Sequence, residues 1–386
     1  MSGAIPGSSK PLGVSRALLV GVAKVDGFPN LPQAHKDVVR MKEFLIRSRG
    51  YLPENIVLMM HHNSVAKKFY PSRTNMLREI DLVVQRTSQY DQIFFYYTGH
   101  GDQVTCKHNS EPDNKDEAIL TYTGKRIIDN VLKARLVDPL PQGAKLFALW
   151  DCCHSQTVLD LEHYNCNELW RAPLKVLTGL ARKTKSIGQG LSKRLSANIL
   201  KDSSEGRSSS KDDSPRNAPL AIDSGEPSAL YRVSSPDSYL PRCTFDCPIT
   251  LPENRVKAYV VSLSACKDNE LAYDDNVTGE TVTKFFIEYL ERNPEASYRE
   301  LLSYIQEKVD VITRRRTQAI KPTGETTYRS HHLERLPENE VEIENWHTCE
   351  HHRSHSDDEN DASTLSSQQP AYSSQYRLDM SQIVEL

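Results

Sequence analysis

His100 and Cys153 are the two side chains of this 386-residue chain whose types and settings suit covalent chemistry. Each follows a short apolar run. Residues 92–97 lead into Thr98, Gly99, His100 and Gly101, and residues 145–150 lead into Asp151, Cys152, Cys153, His154 and Ser155. A thiol at its ordinary pKa of about 8.5 is mostly protonated at neutral pH, and an imidazole that takes its proton turns it into a strong nucleophile. Such a pair supplies what amide hydrolysis needs: Cys153 to attack the carbonyl, and His100 to hold the thiolate and then protonate the leaving amine. Charge developing on the carbonyl oxygen requires donors fixed in advance. Gly101 can turn its N–H toward that point, beside the N–H of Cys153.

The surrounding pattern says how these groups are positioned. Four apolar runs, residues 17–22, 55–60, 92–97 and 145–150, read as buried parallel strands separated by helical or polar stretches. Val38, Met41 and Leu45 recur at helical spacing, and Gly50 stands where that helix needs a left-handed stop. Thr74 is read as the cap of a second helix with Leu77, Ile80 and Val84, and Asp129 as the cap of a third with Leu132 and Leu136. A fifth strand at 257–264 precedes a helix with Val282, Phe285, Phe286, Tyr289 and Leu290. Ser297 and Glu300 then make a capping box for a helix through Leu301, Ile305 and Val309, and 376–386 returns as a last strand. The expectation is an α/β fold, a mostly parallel six-stranded sheet with helices on both faces. In such sheets the functional crevice lies beyond the carboxyl ends of the strands, where His100 and Cys153 face each other if their strands are neighbours.

The string Phe95-Tyr96-Tyr97-Thr98-Gly99-His100-Gly101 resembles the histidine motif of the metacaspases, and Asp151-Cys152-Cys153-His154-Ser155 resembles their cysteine motif. The likeness is to the fungal type I-like members of this caspase-like cysteine peptidase family. Further matches are Asp37-Val38, Asp116-Glu117, Leu159-Asp160 and Ser264-Ala265-Cys266-Lys267-Asp268, so the likeness covers about 17–170 and 257–309 plus the final strand. The separation of histidine and cysteine, 153 minus 100 or 53 residues, also suits the spacing of about 50 found in caspases.

The resemblance implies one caspase-like domain and an endopeptidase that cuts after arginine or lysine. Asp151 stands two residues before the nucleophile, and Asp37 reaches the same crevice if the first strand is central. Two carboxylates in a partly desolvated pocket attract a guanidinium or ammonium and repel an acidic side chain. Thr98 keeps the hydroxyl of the family's pocket serine, whereas Ala34 and Gln156 replace a family cysteine and a family glycine. The resemblance also implies calcium as an activator, a cation that takes six to eight oxygen ligands. Asp160 matches one family ligand, Asp129 with Asn130 falls where two aspartates are common, and Glu111 and Asp113 lie in a loop that would supply another. No cofactor is expected for the chemistry itself. Programmed cell death, aggregate clearance and stress response are associated with the family, and relatives tend to act as monomers. The rival expectation is a catalytically weak caspase-like scaffold that works by binding protein.

Composition narrows the remaining classes. With 48 Lys plus Arg against 51 Asp plus Glu, the net charge of -3 gives no general polyanion or membrane-surface binder. No basic cluster with stacking aromatics points to nucleic acid, and no apolar run approaches the roughly 20 residues of a membrane span. Residues 17–23 read as a buried strand rather than a signal peptide. The eight cysteines, widely spaced, read as reduced thiols of a cytoplasmic protein, the pair Cys243 and Cys247 included. His347, Cys349, His351, His352 and His355 fit no zinc-finger spacing and read as an unstructured tail. The expected organisation is a short N-terminus at 1–15 and a peptidase domain over 16–386. A disordered Ser-rich linker at about 182–253 and a polar insertion at about 314–369 interrupt that domain. Basic residues of the linker, Arg182, Lys183, Lys185, Lys193 and Arg194, are candidate self-cleavage points.

Overall fold

Phe94, Phe95, Tyr96 and Tyr97 are all fully buried, which requires a strand covered on both faces. That strand lies at the centre of a computed structural model that describes residues 13–106, 115–169, 243, 247–268, 270, 272, 279–320 and 368–386. The strands are β1 (Ser15–Gly21), β2 (Ile56–Met60), β3 (Gln92–Thr98), β4 (Gly101–Thr105), β5 (Lys115–Leu120), β6 (Arg126–Ile128), β7 (Lys145–Asp151), β8 (Tyr259–Ser264) and β9 (Ala371–Ser374). The helices are α1 (Pro32–Arg49), α2 (Arg73–Gln85), α3 (Asp129–Leu132), α4 (Val282–Arg292) and α5 (Tyr298–Ile320). Six strands form one sheet in the order β2-β1-β3-β7-β8-β9. Within it β1, β2, β3, β7 and β8 are parallel and β9 is antiparallel.

Alternation along each central strand feeds two cores. Ala17, Leu19, Phe94, Tyr96, Phe147 and Leu149 pack with α1, α4 and α5 residues such as Val38, Phe44, Phe286 and Leu301. Leu18, Val20, Ile93, Phe95, Tyr97 and Trp150 pack with Met76, Leu77 and Ile80 of α2 on the other face. A large apolar side chain buried in this way contributes roughly 1.5–3 kcal/mol, so the paired aromatic rows dominate cohesion. The same parity carries Thr98 and Asp151, next in the Phe94–Tyr96 and Phe147–Leu149 rows, onto the α1/α4 side.

Helix α1 begins with Pro32 in its first turn and ends at Gly50, whose φ of 71° places it in the left-handed region. Helix α5 is opened by the expected box. The Glu300 N–H donates to Ser297 Oγ at 3.3 Å, and the Ser297 N–H donates to Glu300 Oε2 at 2.8 Å.

Four expectations are corrected. Helix α2 is capped by Ser72, whose Oγ accepts from the Asn75 N–H at 3.3 Å, and Thr74 lies inside its first turn. Asp129 is not a cap: Ile128 holds that place, α3 runs four residues, and a wider π-type turn at Lys133–Val137 carries Leu136. The last strand is Ala371–Ser374, upstream of 376–386, where Leu378, Met380 and Val384 enter the core from irregular chain. Helix α5 continues past 314 to Ile320. A second, three-stranded antiparallel sheet in the order β4-β5-β6 was not expected. The N-terminal residues 1–12, the loop at 107–114, nearly all of the 182–253 linker, residues 321–367 and the His347–His355 string lie outside the described residues.

Candidate active site

Strands β3 and β7 are paired in parallel with Thr98 opposite Asp151, so the two residues beyond each end, His100 and Cys153, stand at matching positions on adjacent central strands. Adjacent strands lie about 4.8 Å apart, within reach of a side-chain pair. The backbones touch here: a Cβ built on Gly101 would stand 1.9 Å from the Cys153 carbonyl oxygen, so only glycine fits. His100 and Cys153 are 0% and 2% exposed.

The loop after β1 supplies a partner that side-chain reading could not find. His100 Nε2 lies 2.7 Å from the Pro29 carbonyl oxygen, and the Phe28 ring stands 5.1 Å from the imidazole. A carbonyl only accepts, so Nε2 carries the proton, and a neutral imidazole then presents Nδ1 as its basic atom. The sulfur of Cys153 accepts from the Ala272 N–H at 3.3 Å and lies 3.6 Å from the Ala272 carbonyl oxygen. His154, with φ 49°, turns the chain out of the strand end, and Gln156 is buried with its amide nitrogen unpartnered.

Asp37, Thr98 and Asp151 are gathered on the α1/α4 side, the first two buried and Asp151 half-buried. Asp151 Oδ2 accepts from the Thr283 N–H at 3.0 Å and from its hydroxyl at 2.6 Å, and Asp37 Oδ2 accepts from the Thr281 hydroxyl at 2.8 Å. Tyr96 Oη is 2.6 Å from Thr283 Oγ1, which ties the group to the sheet. Burial pushes Asp151 up to about 6 against the Thr283 hydrogen bonds, and the Asp37 charge adds to the rise. Burial likewise raises Asp37, with Thr281 and Arg40 opposing. Arg40 already places a guanidinium nitrogen 3.1 Å from Asp37.

A second acidic group forms where β5 meets α3. Asp129 accepts from the main-chain N–H groups of Glu117 at 2.7 Å and of Asn130 at 2.5 Å. Burial first, then the charges of Asp160, Glu117 and Asp116, push Asp129 up to about 9. Asp116 Oδ1 is buried and unpartnered. Asp129 and Asp160 thus come together with Asp116 and Glu117, neither of which was named as a ligand from sequence, although buried acids in a strand are a signal. Glu111 and Asp113 lie outside the described residues.

His100 and Cys153 thus stand just past the carboxyl ends of adjacent central strands of an open α/β sheet. Residues 15–162 match the family described as "Metacaspase, peptidase C14 domain". Metacaspase-1 of Schizosaccharomyces pombe is 30% identical over 308 residues, 76% of this chain and 64% of that protein. Metacaspase-1 of Cryptococcus neoformans is 30% identical over 78% of this chain and 61% of its own length, and Metacaspase-1A of Aspergillus oryzae is 26% identical over 77% and 65%. The chain spans a little under two thirds of the length of these curated relatives. Among solved structures, caspase-1 from Spodoptera frugiperda covers 77% of both chains at 8% identity and a TM-score of 0.36. A protein from Geobacter sulfurreducens covers 76% of this chain at 19% identity and a TM-score of 0.42. No helix among the described residues is long and apolar enough to cross a membrane.

Proposed function

We propose that the chain is a cysteine endopeptidase that hydrolyses peptide bonds after arginine or lysine. The observation that supports this reading is the pairing of Thr98 with Asp151, two residues before His100 and Cys153 on adjacent central strands. In the reaction, His100 Nδ1 takes the thiol proton and Cys153 Sγ attacks the substrate carbonyl. The main-chain N–H groups of Gly101 and Cys153 receive the oxyanion. The imidazolium returns its proton to the leaving amine, and a water deprotonated by the same nitrogen then releases the acyl group from sulfur. Pro29 holds the ring at Nε2 throughout. Asp37 and Asp151 receive the basic side chain, and Thr98 lies beside them. Parallel assays with fluorogenic peptides ending in arginine, lysine or aspartate test the reading. Turnover of the basic pair alone is expected, and turnover of the aspartyl peptide would contradict the pocket. No turnover of any peptide by folded protein, with or without calcium, would favour the scaffold reading.

Gly101→Ala is expected to lower kcat/KM by more than ~10²-fold and stability by about 1–3 kcal/mol, because the strand ends must part to admit a methyl group. Kinetics beside a thermal melt would check both effects, and wild-type values would show that the close approach is unimportant.

Calcium fits the second acidic group. Its donors are carboxylate oxygens, one of them buried without a partner, and burial, then the charges around it, hold Asp129 well above the usual carboxylate range. Asp116, Glu117, Asp129 and Asp160 would hold the ion, with Asn130 fixing Asp129 through its main-chain N–H. Bound there, the cation would neutralise the group and fasten β5 to the segment after Cys153. Calorimetric calcium titration is expected to show binding that weakens at least ~10-fold in Asp129→Asn. An unchanged isotherm would exclude the site.

A further inference from the structure

Four metal-binding side chains outside the proposed catalytic group converge at the edge of the main sheet. His163, Cys166, Cys243 and Cys247 present ligand atoms that all lie within 4.8 Å of one another. Sequence spacing alone left the two later cysteines as reduced thiols, because their partners lie 77 residues upstream, from Cys243 back to Cys166. Cys243 Sγ is 3.8 Å from Cys247 Sγ, and Cys166 Sγ is 3.4 Å from His163 Nδ1. A disulfide needs sulfurs about 2.05 Å apart. Tetrahedral zinc, with bonds of about 2.3 Å to sulfur and 2.0–2.1 Å to nitrogen, instead separates its ligands by roughly 3.8 Å and 3.5 Å along the edges. The two spacings, 3.8 Å between sulfurs and 3.4 Å between sulfur and nitrogen, suit two edges of such a tetrahedron.

The surroundings hold this shape. The Cys166 N–H points to Cys243 Sγ at 3.4 Å, a contact that steadies a thiolate. His163 is bonded through its main chain to Ser374 of β9 in both directions, at 3.0 and 2.8 Å. Asn167 donates to the His163 carbonyl and to Ser374 Oγ, while Asn165 and Arg377 donate to the carbonyls of Cys243 and Cys247. Cys166 and Cys243 are buried, so water competes little for the ion.

We propose that His163, Cys166, Cys243 and Cys247 bind one zinc ion as a closed structural site that fastens the chain before residue 170 to the chain after residue 242. Three thiol protons pass to solvent as three zinc–sulfur bonds form, and neutral His163 gives the fourth bond through Nδ1. With four protein ligands no position remains for a water, so the ion holds structure and activates nothing. Soft sulfur donors in a tetrahedron favour zinc over calcium or magnesium. A consequence follows for a chain cut anywhere between 170 and 242: its two pieces still share the ion.

The test uses the full chain purified without chelators or an affinity tag of histidines. Elemental analysis is expected to find about one zinc per chain. Replacement by cobalt(II) is expected to give the intense visible bands of a tetrahedral site with a sulfur-to-cobalt charge-transfer band. Cys247→Ser should lose more than the ~10–100-fold in zinc affinity that a supporting residue costs, whereas Cys106→Ser, outside the cluster, should bind as wild type. Zinc removal should lower the melting temperature by several degrees. Absence of zinc together with no tetrahedral cobalt spectrum in folded wild-type protein would overturn the proposal, as would a Cys243–Cys247 disulfide in freshly prepared protein. None of these readouts depends on peptidase activity.

Discussion

Cys153→Ala should remove hydrolysis of an arginyl peptide, with kcat/KM falling by at least ~10³-fold while the melting temperature stays close to wild type. In the proposed reaction its sulfur forms the acyl intermediate, and its loss leaves a cavity no larger than one atom beside Ala272. His100→Ala should cost about as much, since a thiol without its base stays protonated. The double variant should be little worse than either single one, because residues that act as a unit do not add. The same Cys153→Ala chain should remain intact where the wild type cuts itself. Fragments of equal size in both proteins, or residual turnover within tenfold of wild type, would separate Cys153 from the chemistry.

The second large effect belongs to Asp151. Desolvation pushes its carboxyl up to about 6 against the Thr283 hydrogen bonds, and the Asp37 charge adds to the rise. Below that value it is neutral and above it negative, so attraction for a guanidinium grows as pH rises from about 5 to 7. Affinity for a guanidine-bearing competitive inhibitor should therefore strengthen over that interval. Asp151→Asn should abolish this dependence and cost about 2–4 kcal/mol, or ~30- to 10³-fold in kcat/KM. The stability effect has the opposite sign. A carboxyl whose pKa is raised on folding stabilises most below its unfolded value near 3.9, and that contribution is lost as pH rises through about 6. The variant should lack this loss, with a flatter melting profile across the same interval. A variant with wild-type inhibitor affinity at pH 7 would place the basic side chain elsewhere.

The central strands were legible because both their faces are buried, which leaves uninterrupted runs such as Ile93 to Tyr97 in the sequence. Once strand ends were known, His100 and Cys153 could be placed at the same edge, and the alternation that sends Phe94 and Tyr96 to one face also sends Thr98 there. The second sheet was hidden for the opposite reason. Strand β5 begins Lys115-Asp116-Glu117, charged residues that suggest a loop until the fold packs Asp129 and Thr157 around them. Strand β9 reads Ala-Tyr-Ser-Ser, and Ser374 is explained only by its contacts with His163 and Asn167. The Pro29 carbonyl is main chain and carries no side-chain signal. The cysteine–histidine cluster is divided between two segments, and only the closing of the sheet joins them.

The most direct measurement is covalent: folded wild-type protein treated with a peptidyl-arginine acyloxymethyl ketone, then digested and mapped by mass spectrometry. A thiolate paired with an imidazole should displace the leaving group and carry the label on Cys153 alone, with labelling lost in His100→Ala and the aspartyl analogue leaving Cys153 unmodified. Label on Cys152 or Cys266, or none at all on a protein shown to be folded, would contradict the account.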